Sequence, residues 1–315
     1  METLQYRDGD LFCPIPPHEA ALQTITAEYF VHPGDKPFTQ HMEGLCFDRN
    51  GDLYFCLIGE GKVGKVDMKT KEHQIIWHDS NRHPVSVRIH KDGRLFVSCF
   101  GYGIYGGVLV MNPDGTDVKR IIDNQMVDDL IFMPDGGFYY TVCTGHHCDR
   151  TGGIWYCSPD YKSTREVLPE LRSANGIALN KQGTHIWVTE YMGGTLHRFA
   201  LEPSATVAGT STVVYRFTGA HGPDSCSIDN DGNVYVAMQG QGRVLVFNSH
   251  GFPIGQILLP DRETGHNLCC SSVMVRPGVN EVYISSCDDA GAGPWIFKAG
   301  SFAPGNEDMY QFAKM

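Results

Sequence analysis

Apolar residues in this chain come in short runs of Val, Ile, Leu, Tyr and Phe, broken by Gly, Asp and Asn. Residues 41–56, HMEGLCFDRNGDLYFC, set the type: an apolar run, the polar turn DRNGD, then a second apolar run. Such a pattern predicts a β-hairpin. It returns at 86–100 (SVRIHKDGRLFVSCF), 129–142, 176–190, 225–238 and 272–286, and the first five turns place Gly at 51, 93, 136, 183 and 232. A third run usually follows (KVGKVDM, GGVLVMN, GIWYCS, TLHRFAL, RVLVFN, PWIFKAG), and in several units a fourth (HQIIW, VKRII, REVL, TVVYRF, IGQILL). No long stretch carries apolar residues at helical spacing.

Successive turn glycines are 42–49 residues apart, the range of propeller blades. Six units of four antiparallel strands predict an all-β fold, a six-bladed β-propeller over 1–315 as one domain, with blades starting near 41, 83, 126, 173, 222 and 269. Residues 1–40 form an extension in which TAEYFV (26–31) is expected to add an outer strand to the last blade and close the ring. A sandwich or two packed barrels leaves six copies of one turn unexplained.

The repeat gives meaning to a buried-looking acid. Eight residues before each turn glycine stand Glu43, Val85, Asp128, Asn175 and Asp224, and the sixth blade offers Ser271. Equivalent positions of a propeller ring the central channel, so Glu43, Asp128, Asn175 and Asp224 are expected to face one another. Converging carboxylates repel unless a cation joins them, and hard oxygen donors suit one divalent ion: Ca²⁺ first, with Mg²⁺, Mn²⁺ or Zn²⁺ as alternatives. A single Asp or Asn at a strand mouth is an ordinary turn residue; the coincidence of four carries the reading.

The loops on the ring's side are rich in glycine, aromatic and polar residues: FGYGIYGG (100–107), CTGHHCDRTGG (143–153), EYMGG (190–194), MQGQG (238–242) and CDDAGAG (287–293). His83, Tyr102, Tyr105, Met126, His146, His147, Tyr191, His221 and Gln239 are the candidate substrate-binding residues there, with Arg150, His41 and His266 on the same rim. Histidine suits proton transfer, although each taken alone reads as a solvated loop residue. The HHC at 146–148 has no second cluster at zinc-site spacing, and for vicinal Cys269 and Cys270 burial in the core is preferred to a redox pair.

Composition narrows the partners. A formal net charge of −11 without a basic stripe excludes nucleic-acid binding and argues against anionic membrane surfaces. METLQYRDGDLF lacks the basic and apolar segments of a secretory leader, and the eleven cysteines form no CxxC pair. The expectation is a cytoplasmic protein with reduced thiols that acts on a small molecule. The terminal AKM loosely resembles a peroxisomal address, but a plain tail is the preferred reading. Nothing in the sequence speaks to oligomeric state.

EG at 43–44, DD at 128–129, ANGIAL at 174–179 and GPDS at 222–225, with their spacing, make the chain resemble the SMP-30/gluconolactonase family of six-bladed propellers over roughly residues 41–300. That resemblance implies one divalent cation, commonly Ca²⁺, on Glu43, Asp128, Asn175 and Asp224. Asp128 stands where the family usually has Asn, and Met126 lies in a region where sugar-lactone enzymes often place an arginine, which points to a more apolar substrate. The implied activity is metal-dependent hydrolysis of a lactone, with Asp224 as general base or nucleophile, Asp128 as the second candidate, and His146, His147 or His221 protonating the leaving alkoxide. Phosphotriester cleavage, or lyase or isomerase chemistry on a carbonyl compound, fits the same ring, and a non-enzymatic binding propeller is the third reading.

Overall fold

A computed structural model describes residues 22–33, 41–201, 208–219, 221–288 and 293–307. The strands form six antiparallel sheets, each running outward from an innermost strand: Met42–Phe47, His83–Ile89, Val127–Phe132, Ala174–Leu179, Pro223–Ile228 and Cys269–Val275. Each innermost strand packs on the next, and the last packs on the first, which closes the ring of a six-bladed propeller. Among the described residues there is no α-helix, and no helix is long and apolar enough to cross a membrane. The AKM tail and most of the 287–293 loop lie outside the described residues.

The turns explain why the hairpin recurs. In the first, Gly51 N–H donates to the Asp48 carbonyl at 3.0 Å while Gly51 holds a φ of 85°, which glycine adopts without a Cβ clash. The Asp48 carboxylate accepts from the N–H groups of Asn50 and Asp52, at 2.8 and 2.9 Å. Gly93, Gly136, Gly183 and Gly232 repeat the turn with positive φ.

Buried apolar side chains gather into six clusters, each shared by two neighbouring blades. Both faces of an inner strand are therefore covered, as in LYFCL at 53–57, while the outermost strand His73–His78 is mostly exposed. That gradient is why the inner strands read as continuous apolar runs rather than alternating ones.

The closure differs in one respect from the sequence expectation for TAEYFV. Thr26 does not join the last blade: Gln23–Thr26 pairs in parallel with Pro253–Leu258 as a fifth strand of blade five. Only Glu28–Val31 crosses to blade six, where it pairs antiparallel with Gly293–Gly300. Ala27, 5% exposed, turns into the core between the two blades and separates the strands.

Candidate metal centre

Every innermost strand slips register by one residue near its start: between Glu43 and Cys46, Pro84 and Ser86, Val127 and Leu130, Ala174 and Ile177, Pro223 and Cys226, and Cys270 and Ser272. A β-bulge re-aims the side chains at its site. Val85, Asp128, Asn175, Asp224 and Ser271 lie inside these bulges, and Glu43 borders its own.

Two glycines let the inner strands close on one another. A Cβ on Gly44 would stand 2.6 Å from Ser86 Cα, and one on Gly176 would stand 2.4 Å from the Cys226 backbone nitrogen. The pairs Glu43-Gly44 and Asn175-Gly176 thus join a ring residue to the close approach that positions it. Hydroxyls from second strands then tie blade to blade. Thr141 accepts from the Asp129 N–H at 3.1 Å and donates to the Asn175 carbonyl at 2.5 Å. Thr189 accepts from the Gly176 N–H at 2.8 Å and donates to the Asp224 carbonyl at 2.6 Å. Ser271, on the innermost strand of blade six itself, donates to the Met42 carbonyl at 2.6 Å. Sequence reasoning passed over Thr141 and Thr189. Their signal was faint: a hydroxyl residue 13 or 14 positions after a ring residue.

The four ring side chains come together in the core. Glu43, Asp128, Asn175 and Asp224 are 7, 2, 5 and 2% exposed. Asp128 Oδ2, Asn175 Oδ1 and Asp224 Oδ1 are buried without a hydrogen-bond partner, a costly state for three oxygens in one place. Burial, then the charges of Asp224 and Asp128, push the Glu43 carboxyl well above its usual range. Asp128 rises for the same reasons, burial first and then Asp224 and Asp129. Burial raises Asp224 to about 8, against hydrogen bonds from the Asn175 amide and the Ser225 N–H. The charged forms lack a positive partner at this point, and a cation supplies it. Among the described residues no three carboxylate, imidazole or thiol groups stand in metal-holding geometry by themselves; the donor set is mixed, with the Asn175 amide oxygen beside three carboxylates.

The rim residues divide. Tyr191 is half-buried and donates a short hydrogen bond to Gln239 Oε1. Burial raises its phenol, and the Asp224 and Glu43 charges add to the rise, which sets it close to the ring. Tyr191, His147 and His221 line one cleft between the loops of blades three to five, together with Arg172, Met192 and Phe217. Met126 is half-buried two residues before Asp128, and its carbonyl accepts from the Cys143 N–H at 2.8 Å. The structure does not gather the others. His83 is exposed, with Nδ1 3.2 Å from the Ile58 carbonyl of blade one. Tyr102 and Tyr105 are 68 and 45% exposed. His146 is exposed and its Nδ1 accepts from the Cys148 N–H at 3.4 Å, a turn within the HHC loop. Cys269 and Cys270 point into two different core clusters, so both are packing residues.

A second buried charge cluster went unread in the sequence. Arg88 Nη2 donates to Asp129 Oδ2 at 2.5 Å, and both side chains are buried. Arg88 Nη1 also donates to the carbonyls of Leu45 and Val87, each at 3.2 Å. Asp129 occupies blade three's place beside the ring, where blades one and four have Gly44 and Gly176.

A propeller whose axis carries buried, uncompensated oxygen donors defines a class of proteins with the working site at the centre of the ring. Comparison with known proteins agrees: residues 41–288 match the SMP-30/Gluconolactonase/LRE-like region. The chain belongs to that family. It is 40% identical over 321 residues to lactonase drp35 of Staphylococcus saprophyticus subsp. saprophyticus, covering 99% of this chain and 98% of the relative. Its fold is similar to that of luciferin-regenerating enzyme (TM-score 0.73, 16% identity, 90% of this chain and 99% of that one). It is equally similar to regucalcin, a calcium-binding protein of Agrobacterium tumefaciens (TM-score 0.73, 14% identity, 91% and 99%).

Proposed function

We propose that this protein is a lactonase that holds one divalent cation, Ca²⁺, on Glu43, Asp128, Asn175 and Asp224, and opens a small, fairly apolar lactone. The observation that carries the proposal is the set of three partnerless oxygens on Asp128, Asn175 and Asp224, in a core whose polar groups are otherwise mostly hydrogen-bonded. The lactonase named among its relatives, at 40% identity over nearly the whole chain, supports the reaction. The calcium-binding neighbour supports the ion.

When bound, the cation polarises the ester carbonyl and offsets the charge that develops on its oxygen. The chain's residues do the rest. Asp224 is held by the Asn175 amide and the Ser225 N–H, with one oxygen left over to take the proton of the attacking water. Asp128, with its own partnerless Oδ2, is the second carboxylate able to do so. Tyr191, His147 and His221 bound the cleft beside the ring, and His147 or His221 would protonate the departing alkoxide. Ten cysteines among the described residues are free, which supports a reducing compartment, the cytoplasm.

The test is elemental analysis of purified wild type and Glu43→Gln, run beside a lactone panel with and without chelator. About one Ca²⁺ per chain is expected, lost in the mutant, with lactone opening lost on chelation. Wild-type protein that binds no divalent ion would remove the basis of the mechanism. Asp224→Asn against Asp128→Asn then separates base from ligand: the base mutant keeps the ion and loses turnover.

A further inference from the structure

The cleft beside the ring contains a cation, Arg172, that forms no ion pair with any described residue. Arg172 stands three residues before Asn175, just as His221 stands three before Asp224, so the two occupy matching places around the channel mouth. The guanidinium of Arg172 makes no ion pair with any described residue, and its Nε is buried without a hydrogen-bond partner. A neighbouring carboxylate is already engaged: Glu190 accepts from the Arg172 backbone N–H at 2.8 Å, from Thr195 at 2.6 Å, and contacts His197 Nε2 at 3.0 Å. The remaining lining is His147, Tyr191, Met192, Phe217 and His221, with glycines and no acidic residue. On a chain of net charge −11, the permanent charge among the residues lining this cleft is the positive one of Arg172.

An arginine fork held in this way fits a planar oxyanion, since its N–H groups match a carboxylate bidentately. Met192 and Phe217 offer apolar contact beside it. We infer that Arg172 is the anion-binding residue of the substrate cleft, and that the preferred substrates are lactones with an apolar body and a second, acidic group such as a carboxylate. This rests on the lactonase reading and deepens it. The apolar lining suits the body of the substrate, and Arg172 sets its orientation by gripping the end remote from the ester. Its role is specificity, since it acts on a part of the substrate that does not react.

The test compares wild type, Arg172→Gln and Arg172→Lys as Ca²⁺-loaded proteins. The probes are an aromatic lactone bearing a carboxylate, the same lactone with that group as a neutral amide, and the lactam of the first as a ligand that is not opened. Because the Arg172 side chain bonds no described residue, both variants are expected to melt with the wild type. Arg172→Gln should raise KM for the acidic lactone by about 10- to 100-fold, the worth of a charge-assisted hydrogen-bond pair. Its kcat should stay within about twofold, and the neutral lactone should be unaffected. Arg172→Lys should fall between, keeping the charge and losing the fork. Calorimetry with the lactam should show the same loss of affinity. Equal kcat/KM for the two lactones in wild type, or equal lactam binding by wild type and Arg172→Gln, would overturn the assignment. If no lactone is opened yet the lactam binds in an Arg172-dependent way, the anion site stands and the lactonase reading falls.

Discussion

Two groups of buried charge share the channel of this propeller, and they are opposites. In one, Arg88 and Asp129 neutralise each other at 2.5 Å, and the carbonyls of Leu45 and Val87 accept from Arg88 Nη1. In the other, Glu43, Asp128 and Asp224 face one another with only the Asn175 amide between them, and three oxygens have no partner. Completed pairs serve the fold. Incomplete ones mark where the fold has been left unfinished for a ligand, and their cost is borne until that ligand arrives.

The comparison can be broken by removing one member of each group and measuring metal-free stability in urea. Arg88→Met should cost most, about 3–5 kcal/mol, because it strands Asp129 in the core. Adding Asp129→Leu should recover much of the loss. A cost no larger than that of a surface mutation would mean the pair is not compensated in the way described. Next comes Thr189→Val, at about 1–3 kcal/mol, since it strands the Gly176 N–H and the Asp224 carbonyl. Calcium affinity should weaken in the same variant, which tests whether the hydroxyl positions the ring or only the backbone. Asp224→Asn should behave in the opposite sense. Without metal it should match wild type to within about 1 kcal/mol or exceed it, as a repulsive charge is gone. The stability gained on adding Ca²⁺ should persist in reduced form, because Glu43, Asp128 and Asn175 remain to hold the ion.

The smallest effect sharpens the rule at a third place. Burial pushes the Glu190 carboxyl up, but the bonds from His197, Thr195 and the Arg172 N–H outweigh it and hold its pKa at about 2. A carboxylate depressed from its unfolded value near ~4.3 contributes stability above that pH and loses it as pH falls through about 2. Wild type should therefore lose stability over that acid window more steeply than Glu190→Gln. Parallel curves would place the pair outside the folded-state balance.

What could be read from the sequence followed from repetition. One turn, copied with Gly at the same place, gave the strands their order, and counting back from it brought Glu43, Asp128, Asn175 and Asp224 to one level. What escaped has partners far away in the chain. Asp129 looked like half of a DD motif, while its partner Arg88 lies 41 residues earlier in another blade. Thr141 and Thr189 resembled ordinary strand residues because the carbonyls they hold belong to the next blade. The bulges leave no mark on a pattern of apolar runs, since both faces of an inner strand are buried. Arg172 was passed over for a plainer reason. A charged residue in a loop is usually solvated, and what distinguishes this one is a buried Nε without a hydrogen-bond partner and no ion pair among the described residues.

The first described strands also constrain how the ring closes. Glu28–Val31 forms the rim of the last blade, and Tyr29 donates to Asp261 at 2.7 Å and accepts from Asn267 at 2.8 Å in the segment joining blades five and six. Tyr29 therefore has its place beside residues 232 and 238 positions later in the chain. Until these parts of the chain meet, two blades keep open edges that another molecule's strand could occupy. The circle that shelters the carboxylates is thus sealed by a contact between distant parts of the chain, and its closure covers the edge of the last blade.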